Sequence, residues 1–172
     1  MIGTDSALPL TVLYSMTMFG SICGGYFPVY FINKGNSPYI GRMKAMLLIA
    51  FFPLVVLAAQ PLGTISFWLP VLLIGIGASA HQAWSANLYT TVSDMFPKKA
   101  VASVIGIGGM AGAVAGIVAF YLLGQALDSS GKDGFFWAFL IAGSSYLIIL
   151  GIVHLLMPKM TPLDENLNPI SN

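Results

Sequence analysis

The sequence predicts an all-α integral membrane fold of five transmembrane helices. Two observations carry that expectation: the chain has too little charge to wet a soluble surface, and its charges are confined to the links between five long apolar stretches. Hydrophobic residues make up 57% of the 172 residues and charged residues 8%, with a mean hydropathy of +0.85. An ordinary soluble domain carries about 25% charged residues. Contact with lipid accounts for the shortfall.

A helix rises about 1.5 Å per residue and the hydrocarbon core is roughly 30 Å thick, so a span needs about 20 apolar residues. The five candidate spans run at about 8–32, 43–60, 66–92, 101–127 and 135–157, inside a bundle at 1–160 that is followed by a cytoplasmic tail at 161–172. Apart from Lys44 at the very start of the second, none contains Asp, Glu, Lys or Arg, each of which would cost roughly 2.5–3.5 kcal/mol at mid-bilayer.

The first span carries Gly20 and Gly24, four apart as in closely packed membrane helices, and then Pro28. Pro53 in the second span and Pro70 near the start of the third are expected to kink their helices or mark strained turns. The fourth repeats Gly108, Gly112 and Gly116 at the same spacing, so tight packing is expected there too. Gly106, Gly108 and Ala111 also fit a dinucleotide fingerprint on paper, but that motif needs a preceding buried strand. The fifth span ends near His154.

Basic residues orient the chain. Lys34, Arg42 and Lys44 separate spans one and two, Lys98 and Lys99 separate three and four, and Lys159 follows five. The link at 61–65 is uncharged, and at 128–134 Lys132 is outnumbered by Asp128 and Asp133. Because Lys and Arg concentrate on the cytoplasmic side, the N-terminus is expected outside and the C-terminus in the cytoplasm. Residues 1–5 lack the basic region of a cleaved signal peptide. An odd helix count with an outside start and no internal repeat reads as a piece of a larger transporter, since complete ones are commonly built from paired repeats.

The third span holds the polar run His81-Gln82-Ala83-Trp84-Ser85-Ala86-Asn87-Leu88-Tyr89-Thr90-Thr91. At about 100° per residue, His81, Gln82, Ser85 and Tyr89 share one side, and Trp84, Asn87 and Thr91 the neighbouring side. Polar groups in hydrocarbon must meet other helices, water or a ligand. One reading is a cavity wall that hydrogen-bonds a polyhydroxylated substrate, with Trp84 stacking on its ring. The other is interhelical glue at about 1 kcal/mol per group. His81 is either a proton-coupling group or a neutral hydrogen-bonding imidazole.

Other functions find little support. A net charge of +1 offers no basic stripe for nucleic acid. Cys23 stands alone, and two histidines with one cysteine do not make a metal site. No acid lies near His81 within a span, so no catalytic residues are expected and the chain does not read as an enzyme. The loop at 128–134 lacks the ligands of a calcium site and reads as an exposed turn. No cofactor is expected.

The run from Ser79 to Asn87, the stretch Ser93-Asp94-Met95-Phe96-Pro97-Lys98-Lys99-Ala100-Val101 and the glycines from Gly106 to Gly112 resemble the major facilitator superfamily, more narrowly the hexuronate and sugar-acid transporters of its anion:cation symporter family. The resemblance extends over nearly the whole chain. It implies that the five spans correspond to the last five helices of a twelve-helix fold in the plasma membrane, the inner membrane of a bacterium. It further implies uptake of a hexuronate or related sugar acid with a coupling cation, H⁺ in the first instance. His81, Gln82, Trp84, Ser85 and Asn87 are then candidate substrate contacts. The connection at 33–44 keeps Gly35, Arg42 and Lys44 of the family's loop motif without its acidic residue. The substrate-carboxylate cation and the coupling acid would come from missing N-terminal helices, without which this polypeptide is not expected to transport. A truncated non-transporting membrane protein, or a helical scaffold or subunit, is the alternative.

Overall fold

A computed structural model describes residues 7–131 and 133–170. The opening residues, Lys132 of the 128–134 link and the last two residues of the tail lie outside the described residues. The rest is helical: α1 (Ala7–Gly24), α2 (Tyr26–Asn33), α3 (Pro38–Phe51), a 3-10 segment (Phe52–Ala58), α4 (Ala59–Leu62), α5 (Trp68–Met95), α6 (Lys98–Ser130) and α7 (Asp133–Leu156). α1 and α2 run on as one helix, as do α3, the 3-10 segment and α4. Ala7–Asn33, Pro38–Leu62, Lys98–Ser130 and Asp133–Leu156 are long and apolar enough to cross a membrane. α5 is equally long at 28 residues but carries the polar run. The chain is an all-α, membrane-embedded protein.

The helices outrun the apolar stretches at their ends, because backbone hydrogen bonding continues where hydropathy stops. Ser37 caps α3 by accepting a hydrogen bond from the Ile40 amide, and Pro38 occupies the first turn, where its missing N–H costs nothing. Arg42 and Lys44, read from the sequence as part of a connection, therefore belong to α3. Likewise Asp94 closes α5, and Lys98 and Lys99 open α6.

Pro28, Pro53 and Pro70 have three different outcomes. Pro70 sits in the first turn of α5, where it is tolerated. Pro53 has no N–H for the Ile49 carbonyl; Phe52 donates to that carbonyl instead, and the helix tightens into the 3-10 segment. Pro28 has no N–H for the Gly24 carbonyl, and the α1–α2 junction falls at Gly25.

α5 is the axis of the packing. It runs against α1, α3, α4, α6 and the 3-10 segment. The apolar core comprises Met46, Ile49 and Ala50 of α3, Ala80, Ala83 and Trp84 of α5, and Leu150 of α7, with Phe27, Met43, Tyr146 and Leu147 around it. The α1–α5 seam is made of small residues: Gly20 meets Ser79 and Gly24 meets Ala83, so closely that a Cβ at either glycine would overlap the backbone opposite. That bears out the expectation for span one. The expectation for span four is not met within this chain: a Cβ at Gly106, Gly108, Gly112 or Gly116 would have nothing from another element within 4 Å among the described residues. α6, about 50 Å long at 1.5 Å per residue, has no buried residue. Its helix–helix packing is chiefly against α5 and α7. None of the described helices approaches that face of α6.

Candidate functional site

Contacts across the bundle gather the starts of α3 and α6 with the ends of α5 and α7 at one end. Arg42 of α3 reaches Asp94 of α5, Tyr39 of α3 reaches His154 of α7, and Lys99 of α6 pairs with Glu165 beyond α7. We call this the basic end, since Lys34, Arg42, Lys44, Lys98, Lys99 and Lys159 belong to it or to its connections.

Arg42 is the least exposed charge there, at 8%. Its Nε and Nη2 both donate to one carboxylate oxygen of Asp94, Nε at 2.8 Å. The acidic partner of Arg42 thus comes from the last turn of α5, in the stretch 93–101. The signal that could have found it was topological: links one–two and three–four fall on the same side of an alternating bundle.

The five candidate site residues divide into two groups. Trp84 (7% exposed) and Asn87 (1%) turn inward with Thr91. Trp84 sits in the core, its ring edge-on to Tyr146 of α7 at 5.3 Å between centroids. Asn87 Nδ2 donates to the Gly24 carbonyl at 2.8 Å as well as to Ala83 O. The Gly24 carbonyl is the one that Pro28 leaves without its usual helical donor, so Asn87 satisfies from α5 what the proline exposes in the first span. Asn87 Oδ1 has no partner among the described residues. Two residues before the run, Ser79 makes a second tie of this kind, its hydroxyl lying 2.7 Å from the carbonyl oxygens of both Met16 and Gly75.

His81 and Gln82 turn outward with Tyr89, and Ser85 is half-buried beside them. His81 Nδ1 lies 2.7 Å from the Tyr146 hydroxyl, which bonds α5 to α7. Tyr146 therefore joins His81 to Trp84, a link that nothing in the sequence spacing announced. Gln82, Ser85 and the Tyr89 hydroxyl make no hydrogen bond among the described residues, and they form an open polar strip on the most embedded helix.

None of the five lines either of two crevices formed by the described residues. A crevice of about 210 Å³ lies between Phe27, Ile49, Phe52, Ile76, Ser79, Ala80 and Ala83. Its single polar group, the Ser79 hydroxyl, is already engaged. A second crevice at the opposite end, about 230 Å³, is bounded by Ala59, Gln60, Gly63, Pro70, Ile74, Phe135 and Phe139. Among the described residues no three of His, Cys, Asp and Glu converge as metal ligands would.

The Asn87–Gly24 bond makes a quantitative prediction. Asn87→Ala is expected to cost about 1–3 kcal/mol, the range for a buried carbonyl stripped of its partner. In a Pro28→Ala background, where residue 28 regains an N–H for Gly24 O, the same substitution should cost markedly less. Unfolding of the four variants in detergent measures the coupling, and equal costs in both backgrounds would show that Asn87 does not serve the proline. Compared with known proteins, the chain matches no protein-family model, no curated protein and no solved structure.

Proposed function

We propose that this chain is the C-terminal portion of a secondary active transporter, a cation-coupled symporter for hexuronates or related sugar acids. In this reading five helices span the inner membrane of a bacterium, with the basic end in the cytoplasm. The observation that carries it is the open polar strip of Gln82, Ser85 and Tyr89 beside His81. Hydrogen-bonding groups on a lipid-embedded helix are costly unless they meet water, a ligand or another helix. A sugar's hydroxyls suit amide, hydroxyl and imidazole groups at this spacing. α6 supports the same reading, because a glycine-lined helix with an open face suits further helices of one larger bundle. Those helices would also supply the substrate-carboxylate cation and the coupling acid, and the two bundles would rock about a shared site.

In this division of labour Gln82, Ser85 and His81 face substrate. Trp84 and Asn87 support the wall from behind, Trp84 by packing on Tyr146 and Asn87 by holding α1. The alternative, a non-transporting helical scaffold, draws on Asn87 and Ser79, which both tie helices together. It leaves Gln82 and Ser85 without a purpose.

The test is uptake of labelled galacturonate or glucuronate by the transporter assembled with its N-terminal helices. Gln82→Ala and Ser85→Ala are expected to lower kcat/KM by about tenfold each, as loss of a ligand hydrogen bond near 1.4 kcal/mol would. Ser144→Ala, which removes a hydroxyl bonded within α7, should leave uptake unchanged. Full uptake by well-expressed Gln82→Ala and Ser85→Ala variants would remove the assignment.

A further inference from the structure

Beyond α7 the chain does not trail away. It crosses the basic end and forms a compact turn. The Leu163 amide donates to the Met95 carbonyl at 2.8 Å. Leu163 and Pro169 pair as an antiparallel bridge, and Ile170 N donates to Pro162 O at 2.9 Å. Inside the turn Asp164 Oδ1 accepts from the amides of Asn166 and Asn168, each at 2.8 Å. Asp164 N donates to Asn168 O at 2.9 Å, and Leu167 takes a positive φ of 64°. Glu165 Oε2 lies 3.4 Å from Lys99 Nζ in the first turn of α6.

The turn is legible in its composition. Pro162 and Pro169 bracket a Leu-Asp-Glu-Asn-Leu-Asn core, and aspartate and asparagine side chains build such turns by bonding the backbone two residues on. Its docking point also has a cause. Met95 is the last residue of α5, and the closing carbonyls of a helix have no partner within it. Pro97 starts the next helix at once, leaving no room for an ordinary C-terminal cap. The Leu163 amide supplies the missing donor.

We propose that residues 157–170 form a clasp that caps α5 and ties the α5–α6 corner to the end of α7, with Asp164 as its keystone. The clasp sits one residue from Asp94, the partner of Arg42, and joins the ends of three helices: α5 through Met95, α6 through Lys99 and α7 covalently. It is most consequential for α6, which has no buried residue to hold it. An intact clasp fixes the base of α6, and an open one leaves that base free to swing. The Asp164 carboxyl is held below its usual range, chiefly by the Asn168 backbone amide, with Asn166, the Asn168 side chain and Lys99 adding to this against a desolvation penalty. The charges facing the turn are Lys99 of α6 and Glu165 of the turn itself. A lowered carboxyl favours the closed clasp above the ordinary aspartate range, and that contribution disappears as pH falls through the lowered value.

Hydrogen exchange on the full chain in detergent tests the clasp. Amides of Leu163, Asn166, Asn168 and Ile170 are expected to exchange about tenfold or more slowly than exposed coil. Asp164→Ala should abolish that protection and also speed exchange across residues 96–101. Asp164→Asn keeps an acceptor oxygen and should retain part of the protection. Glu165→Ala removes the exposed ion pair to Lys99 and should loosen residues 98–101 slightly while leaving the protection of 163–170 unchanged. Coil-like exchange of 163–170 in the unmodified chain overturns the proposal. So does an Asp164→Ala chain whose tail loosens while residues 96–101 stay as protected as before, since the turn would then fold without clasping anything.

Discussion

Gly24→Leu is expected to separate α1 from α5 and to remove a large part of the stability of the chain. At this position the Cβ itself, before any larger side chain, would overlap Cα and Cβ of Ala83. Neither partner can yield, because both atoms opposite belong to or sit directly on the backbone of the central helix. One turn earlier Gly20 meets Ser79 in the same way, so a shift of α1 that relieves one clash cannot use the other as a pivot. Overpacking a well-filled interior costs about 1–3 kcal/mol and sometimes more. Here the separation would also break the Asn87–Gly24 and Ser79–Met16 bonds. A loss above about 3 kcal/mol is the expected sum, against a usual total stability of roughly 5–15 kcal/mol. Gly112→Leu is the control. It adds the same bulk to α6, where nothing lies within 4 Å, and should change the midpoint of thermal unfolding of this chain little. If both variants unfold alike, the seam does not lie where the contacts put it.

Asp94→Ala should produce the second large loss, about 2–3 kcal/mol. The range for breaking a buried ion pair is about 3–5 kcal/mol, because the surviving charge is left without its partner. Arg42 meets that condition, with its side chain 10% exposed, but Asp94 at 38% keeps part of its carboxylate in solvent, so the lower figure applies. The decisive comparison is the pair Arg42→Met with Asp94→Leu, which removes both charges and should recover most of the lost stability. Arg42→Lys should not behave as a conservative change, since two guanidinium nitrogens share one carboxylate oxygen and an ammonium cannot reproduce that fork. Unfolding of the variants in detergent distinguishes these outcomes. A double variant no more stable than Asp94→Ala would mean that the loss came from something other than the stranded charge.

The polar run of α5 shows how far sequence reasoning reaches. Helical periodicity divided it into two neighbouring sides, and that division survives: Trp84, Asn87 and Thr91 are inside, while His81, Gln82 and Tyr89 are outside. Periodicity could not say which side would be enclosed. Both carry groups fit for a cavity wall, and the choice rests on where α1, α3 and α7 come to lie. Asn87 illustrates the difficulty. Its partner is a main-chain carbonyl in another helix, and that carbonyl is free only because of a proline four residues beyond it.

The sequence alone determined the surroundings of this protein and where its helices lie. Hydropathy is a sum over adjacent residues, and the cost of an unpaired charge in hydrocarbon is set by its type and its depth in the span, so both can be read along the chain without knowing any contact. Which glycines pack, which acid Arg42 meets and where the tail docks were decided only by tertiary structure. Gly20 and Gly24 have the same spacing as Gly108, Gly112 and Gly116, yet the first pair is pressed against α5 and the second set faces open space. A glycine removes the barrier to close approach; the approach itself needs a second helix. Asp94 lies 52 residues from Arg42, and no local signal spans that interval. Such pairings depend on which helix ends come together, and that becomes determinate only once the bundle has closed.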